Sequence, residues 1–406
     1  MRVLFIVPNP PSLVRVRPYN LIHHLHARGH EITIAAPWSD SAERADVERL
    51  REQGFDVETA FLSRMEIVRN LLRALVGGLP LQATYAESAS LRHAIARRVA
   101  AAPPDLVHVE HLRGAAYGLA LRRSPQTAPL PIVWDSVDCI SYLFEQAAAH
   151  SRTLKSRLLA LCELSRTRRY EGHLVTQFDR VLATSPIDKA ALEALAAPWT
   201  RPAPPPTVTV LPNGVDLDYF APGEEPRQPA TIVFSGKMSY HANATAALYL
   251  VNDIMPLVWE ARPDARVWIV GKDPTAAVQA LARRRAQVTV TGAVPDLRPY
   301  LRRAALAVAP LVYGAGIQNK VLEAMACATP VVASRRAVLS LQTVAEEHLL
   351  VADGPAQFAQ QILRLLSDAD LQARLGQAGR RYVETHHAWD RIVNDLEALY
   401  HTLLTH

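Results

Sequence analysis

The sequence predicts an α/β chain of two doubly wound parallel-sheet domains facing a central cleft. Three observations predict it. Short β-branched runs alternate with helical patterns through the first half, a proline-rich break follows, and the same alternation then starts again. Alternation of this kind builds parallel sheets with helices on both faces.

In the first half the strand candidates are RVLFIV (2–7), EITIAAP (31–37), LVHVEH (106–111), PIVWDS (131–136) and RVLATS (180–185). Helical patterns lie between them at 17–28, 86–100 and 153–176. The stretch APWTRPAPPPT (197–207) holds five prolines and no periodicity, which marks it as a linker. TVTVLPNG (207–214) reopens the alternation, followed by TIVFSG (231–236), RVWIVG (266–271), VTVTG (288–292), LAVAPL (306–311) and PVVAS (330–334). Residues 355–404 read as helical. The expected division is an N-terminal domain at 1–198, a C-terminal domain at 207–387, and a terminal helix at 388–406 returning toward the first domain.

Composition narrows the function. The 406 residues are 49% hydrophobic and 20% charged, enough for two cores. A net charge of +5 and 6% aromatics, with no stretch rich in both basic and aromatic residues, speak against a nucleic-acid partner. No apolar run reaches the roughly 18 residues needed to cross a bilayer. MRVLFIVPNPP (1–11) is broken by prolines and reads as a first strand rather than a leader. Cys139, Cys162 and Cys327 are too scattered for a disulfide framework or a zinc site. The expected setting is reducing and cytoplasmic.

In doubly wound sheets, ligands bind outside the carboxyl ends of the strands. Several such ends carry glycine: Gly236 with Lys237, Gly271 with Lys272, Gly292, and the turn at Gly314 and Gly316. The stretch GAGIQNKVLEAMACATPVVAS (314–334) reads as a turn, a helix and a buried strand. Its glycines let backbone approach a ligand closely, and the free amides of a helix start suit a phosphate. Lys320 lies one turn in and reaches the same anion. Glu323, three residues on, shares its face and suits ribose hydroxyls. The alternative is an ion pair on a solvated face. The flanking Ile317, Val321, Leu322, Ala324, Met325 and Ala326 leave little solvated face, which favours the ligand role.

A second cation comes from VFSGKMSYHANATAALYL (233–250), where a strand ends at Gly236, Lys237 follows and a helix begins near Asn243. A charge-assisted hydrogen bond contributes about 1.5–3 kcal/mol, against about 0.3–1 kcal/mol for a helix end alone. The two lysines would therefore hold most of a diphosphate, with the helix end aiming it.

With VTVLPNGVDLDYFAP (208–222), IVG (269–271) and VTVTGAVPDLRPYL (288–301) beside 314–334, the sequence resembles the retaining, family 4-type glycosyltransferases of the GT-B fold. The resemblance is greatest to sugar transferases associated with bacterial exopolysaccharide and exosortase systems. It covers nearly all of the second half, while DSVDCIS (135–141) and FDRVLATS (178–185) fit in the first. It implies an enzyme that moves a sugar from a nucleotide-diphosphate donor, UDP-sugar above all, with retention of configuration. No metal or other cofactor is implied. Glu323 would bind the ribose. Lys237 and Lys320, with the amides after Gly316 at Ile317, Gln318 and Asn319, would hold the diphosphate, and Gly236 and Gly271 would belong to the same donor-nucleotide site. The backbone at Ala293 and Val294 would touch the base. Arg17, in PSLVRVRPYN (11–20), matches a basic residue near the reaction centre. The acceptor would be a sugar, a lipid-linked saccharide or a small molecule.

The chain departs from the family pattern at several points. Many relatives carry a glutamate eight positions before the ribose one, where this chain has Ala315. The usual Gly-Arg turn is Gly236-Lys237. Ala242 and Asn243 stand where a second lysine is common, and Leu13 and Val14 where glycine is usual. A branch of the family replaces the lost glutamate with backbone amides and a lysine, which GIQNK (316–320) is able to supply.

VHVEH (107–111) ends a first-domain strand with His108, Glu110 and His111, where relatives often place a functional histidine on the acceptor side. Alternation sends His108 and His111 to opposite sides and leaves open which is the counterpart. A buried, satisfied histidine is the alternative for either. His23, His24, His26 and His30 read as a solvated helix surface rather than converging zinc ligands. DLD (216–218) reads as structural. SRTLKSRLLALCELSRTRRY (151–170) is amphipathic and basic. A solvated face is favoured there over peripheral contact with the cytoplasmic membrane face or a lipid-linked acceptor. The rival functions are a sugar-nucleotide epimerase of the same fold, which would want acidic and histidine residues converging on the sugar, and a non-catalytic two-lobed binding protein.

Overall fold

Seven parallel strands form the first sheet: β1 (Arg2–Ile6), β2 (Glu31–Trp38), β3 (Asp56–Phe61), β4 (Leu106–Glu110), β5 (Ile132–Asp135), β6 (Arg180–Ala183) and β7 (Val208–Val210). Their spatial order is β3-β2-β1-β4-β5-β6-β7, so the chain starts in the middle and winds outward both ways. This computed structural model describes all residues except 125, 126, 128, 151–153, 201–207, 315 and 406, and of 147, 150 and 154–160 it describes the backbone alone.

The central strands are apolar on both faces because both faces are covered. Leu4, Ile6, Val107, Val109 and Trp134 pack with Leu112 and Tyr117 on one side. On the other, Val3, Phe5 and Ile34 pack with Ile392, Val393, Leu396 and Tyr400 of the helix Trp389–Leu404. The last helix therefore belongs to the first compact unit, which comprises Met1–Pro212 and Trp389–His406. It is tied to the end of the helix Val16–Ala27 by ion pairs of Arg28 with Glu397 and Asp390, and by His30 with Glu397 at 2.6 Å.

Strand β3 escapes sequence pattern because DVETAF is an edge strand with only Val57 buried. TVTVLPNG differs from expectation in its partner. Val208 pairs with Val181 and Val210 with Ala183, so β7 extends the first sheet rather than opening the second. The compact units part after it, at Pro212 and Asn213. Ala197–Thr200, the start of the proline-rich stretch, ends the helix Pro186–Thr200, and 201–207 lie outside the described residues.

The second unit, Asn213–Ala388, holds six parallel strands: β8 (Gln228–Ser235), β9 (Arg266–Val270), β10 (Val288–Val290), β11 (Ala304–Ala309), β12 (Val331–Ala333) and β13 (Leu350–Val351). Their order is β10-β9-β8-β11-β12-β13. Phe234, Ile269, Leu306, Leu322, Met325, Phe358 and Ile362 contribute to its core. Each unit is Rossmann-like, and two such parallel-sheet domains are consistent with the GT-B fold. Among the described residues no helix is long and apolar enough to cross a membrane.

Candidate functional site

In the second unit the ends of three neighbouring strands form a rim of backbone. Gly236, Gly271 and Gly292 follow β8, β9 and β10 with φ of 146°, 147° and 69°, conformations that L side chains rarely adopt. Gly236 N–H donates to the Val270 carbonyl at 3.0 Å, and Gly271 N–H to the Gly292 carbonyl at 3.2 Å. A methyl group on Gly271 would lie 1.8 Å from the Gly236 carbonyl oxygen, so this approach excludes every side chain.

Lys320 reaches this rim from the helix Asn319–Ala326: its Cε is 3.4 Å from where a Gly236 Cβ would stand. Its Nζ donates to Gln318 Oε1 at 3.2 Å and lies 5.9 Å from the Phe234 ring centroid. Glu323 is on the same half-buried face. Among the described residues the two form no ion pair, and the Glu323 carboxylate accepts no hydrogen bond. Burial pulls the Lys320 ammonium down to about 8 against the opposing charge of Glu323. Burial likewise pushes the Glu323 carboxyl up to about 7 despite Lys320. Two desolvated groups that are not paired with each other, one holding only the neutral Gln318 amide oxygen, leave donors and acceptors for a ligand to use.

The rest of the predicted set lies on the helix start before Lys320 and on the turns that follow β8 and β10. The Gln318 side chain does not cap the helix: it holds Lys320 and donates to the Gly316 carbonyl at 3.4 Å, while the Val321 amide donates to the Gln318 carbonyl at 2.9 Å. Gly316 (φ 70°) supplies the turn before it, with Ile317 buried and Gln318 and Asn319 half-buried. Lys237 is exposed just beyond Gly236, and Ala293 and Val294 follow Gly292. Ala315 lies outside the described residues.

Two features escaped sequence reasoning. Asn243 donates from Nδ2 to the Lys237 carbonyl at 3.0 Å and so fixes the Gly236-Lys237 turn. Its buried Oδ1 has no partner. His241 stacks on Tyr313, ring centroids 5.3 Å apart, with Nδ1 2.8 Å from the Tyr313 hydroxyl. The polar run YHAN at a helix start was the available signal.

In the first unit, β4 delivers Glu110 and His111 to a pocket of about 260 Å³ shared with Asn9, Arg15, Arg17 and Arg113. His111 opens the helix His111–Arg123 at φ 64°, an uncommon conformation for a non-glycine residue. Trp134 Nε1 donates to its carbonyl at 3.3 Å, and Arg113 N–H to its Nδ1 at 3.3 Å. Burial pulls its imidazole down to about 3. The neutral ring, accepting at Nδ1, carries its proton on Nε2 and presents a donor. Glu110 is pushed up to about 8 by burial and by the charge of Asp135.

His108 is corrected from the acceptor side to the interior. It is 1% exposed, stacks on Phe5 at 4.6 Å, and bonds through Nδ1 to the Tyr400 hydroxyl at 2.7 Å. Its Nε2 lies 3.5 Å from Asp135 Oδ2. Arg17 lines the pocket, yet its Nε donates to Asp135 Oδ2 at 2.8 Å and its Nη1 to the Pro212 carbonyl at 3.1 Å. Burial opposes ionisation of Asp135, but Arg17 and His108 hold its carboxyl well below the usual range. Asp135 and Tyr400 were missed because their partners are remote in sequence.

The remaining candidates are structural. His23 Nδ1 is 2.7 Å from the Tyr19 carbonyl, His24 pairs with Asp390 and His30 with Glu397, while His26 packs on Phe55. In DLD, Asp216 Oδ1 accepts from the amides of Asp218 and Tyr219 at 3.1 and 2.9 Å, a local turn. Among the described residues no group of three or more His, Cys, Asp or Glu is placed to hold a metal ion. Of 151–170, residues 151–153 and the side chains of 154–160 lie outside the described residues.

Known glycosyltransferases resemble this chain in sequence and in fold. Residues 14–219, half of the chain, match the profile of Glycosyltransferase Family 4, and residues 229–368 that of Glycosyl transferases group 1. The sequence is 28% identical over 272 residues to phosphatidyl-myo-inositol mannosyltransferase of Mycobacterium tuberculosis, covering 63% of this chain and 67% of that protein. It is 27% identical over 372 residues to D-inositol 3-phosphate glycosyltransferase of Salinispora arenicola, covering 82% and 77%. The fold is similar to sucrose-phosphate synthase of Thermosynechococcus elongatus, with a TM-score of 0.72 and 18% identity over 100% of this chain and 99% of that one. It is also similar to HepE of Anabaena in complex with UDP, with a TM-score of 0.70 and 12% identity over 99% and 100%.

Proposed function

The chain belongs to glycosyltransferase family 4 and transfers a sugar from a nucleotide-diphosphate donor; from that premise we propose a retaining, metal-independent UDP-sugar transferase. The observation that carries the reading is that Lys320 and Glu323, on one helix face beside the Gly236 rim, form no ion pair with each other among the described residues. A sugar nucleotide completes both: its diphosphate supplies the anion for Lys320, Lys237 and the amides of Ile317 to Lys320, and its ribose hydroxyls donate to Glu323. Gly271, Ala293 and Val294 flank the base. The UDP complex of HepE supports uridine as that base.

The bond from the anomeric carbon to the diphosphate breaks as negative charge grows on the leaving oxygen; the acceptor hydroxyl oxygen bonds that carbon from the same face and its proton passes to the departing diphosphate oxygen. Fixed ammonium groups and amides aimed there stabilise that charge without reorganising. His111, with its Nε2 proton, acts as a hydrogen-bond donor rather than a general base. Arg17 and Asp135 hold the wall behind it. Glu110, protonated near neutral pH, and the arginines Arg15 and Arg113 line the acceptor side. Relatives named for a phosphatidyl-inositol and an inositol phosphate support a polar acceptor carrying phosphate, free or lipid-linked. The motif resemblance supports a place in exopolysaccharide assembly.

The deciding experiment combines titration of UDP, GDP and ADP with mass spectrometry and NMR of products from UDP-sugars. Binding of UDP in preference to the others, with a new α-linked product from an α-linked donor, is expected. Inverted product, or an epimerised donor without transfer, overturns the proposal.

A further inference from the structure

The helix Arg64–Gly77 turns most of its large apolar side chains away from the protein, with Ile67 and Leu71 half-buried. Its buried residues are Asn70 and Ala74. Met65 is 82% exposed and Val76 92%, and Val68, Leu72 and Leu75 face solvent with them. At about 100° per residue these five fall in a single stripe, roughly the width of a core-facing helical face. Arg64 borders the stripe on one side, and Arg69 and Arg73 border it on the other. Leu79, just past the helix, is also exposed.

The helix is held firmly in this orientation. Ser63 and Glu66 form a capping box, and the Glu66 carboxylate also lies 4.0 Å from Arg69 Nη2. Asn70 Nδ2 donates to the Glu87 carbonyl at 2.6 Å, and Arg73 pairs with the Glu87 carboxylate at 2.7 Å. Gly78 ends the helix in the left-handed region. The outer surface is thus a contiguous apolar centre with basic margins. Soluble monomers scatter exposed apolar residues singly, so a stripe of this kind marks a contact surface.

We propose that the helix Arg64–Gly77 seats on an anionic lipid bilayer, with Met65, Val68, Leu72, Leu75 and Val76 entering the acyl boundary, Arg64 and Arg69 at the headgroup phosphates, and Arg73 staying on Glu87. Arginine stems lie along apolar surface while the guanidinium groups stay at the polar level, which matches this layout. A two-fold pairing with a second copy fits less well, because it sets arginine margins against arginine margins. The seating is independent of which donor or acceptor the enzyme uses.

The test is cosedimentation of the full-length protein with vesicles of phosphatidylglycerol and phosphatidylcholine, and of phosphatidylcholine alone. Binding to the anionic vesicles is expected to be about tenfold or more tighter, and to weaken with salt. The double variant Leu72→Asp, Val76→Asp should lose about a hundredfold in vesicle affinity. Both side chains already face water, so circular dichroism and UDP affinity should not change. Failure of the wild-type protein to bind anionic vesicles overturns the proposal. So does undiminished binding by the folded double variant. A concentration-dependent dimer abolished by the same substitutions, without vesicle binding, assigns the stripe to a second copy instead.

Discussion

The Tyr400 hydroxyl lies 2.7 Å from His108 Nδ1, joining the last helix of the chain to the centre of the first sheet across 292 residues. His108 in turn lies against Asp135, which holds Arg17 at the edge of the pocket. Tyr400→Phe leaves the buried His108 nitrogen without its partner. It should lower the stability of the first unit by about 1–3 kcal/mol, read from urea denaturation. An unchanged midpoint would mean that the bond contributes nothing.

Glu323→Ala should weaken UDP binding by about tenfold or more, since charged acceptors contribute about 1.5–3 kcal/mol, and should leave the fold intact. Calorimetric titration measures it. Equal affinity in variant and wild type would remove the ribose role.

Lys320→Ala should cost about 1.5–3 kcal/mol of UDP affinity, ten- to roughly a hundredfold, and less of UMP affinity. Equal losses for both nucleotides would place Lys320 away from the terminal phosphate.

The same two groups set a pH dependence. Lys320 is lowered to about 8, so its ammonium is lost as pH rises through that value and UDP affinity should fall. Glu323 is raised to about 7, so its carboxylate is lost as pH falls through that value, and affinity should fall there too. The optimum should lie between these limits. In Glu323→Gln the acid limb near 7 should vanish, leaving the titration of the UDP phosphate near 6. An acid limb that persists near 7 in this variant would contradict the assignment.

His111→Ala and His111→Gly should both lose most sugar transfer. Glycine adopts φ near 64° without strain, so the alanine variant should be the less stable by about 1 kcal/mol. Denaturation curves of the two proteins compare them directly. Transfer at the wild-type rate by either variant would exclude His111 from the reaction.

If Lys237, Lys320 and the helix amides take the leaving-group charge as proposed, transfer should survive EDTA. Complete loss with EDTA, restored by Mg²⁺ or Mn²⁺, would refute the metal-independent mechanism.

Local pattern carried much of this protein. Alternating β-branched and helical runs announced two parallel sheets, because burial of a sheet on both faces leaves continuous apolar runs. Glycines at strand ends and the spacing of Lys320 and Glu323 marked the candidate donor site, since neighbours three apart on a helix share a face whatever surrounds it. The short edge strands β3 and β13 were silent, having little apolar surface to bury.

Long-range pairing settled the rest. The partner of β7 is a strand more than twenty residues upstream, and no property of TVTVLPNG names it. Strand alternation separated His108 from His111, but which one faces the pocket depended on Tyr400 and Asp135 arriving from elsewhere. The pair Lys320 and Glu323 could have been a closed ion pair until packing held them apart. The helix Arg64–Gly77 makes the same point. Periodicity tells which face of a helix is apolar, and only the packed chain shows whether protein covers that face or leaves it to another phase.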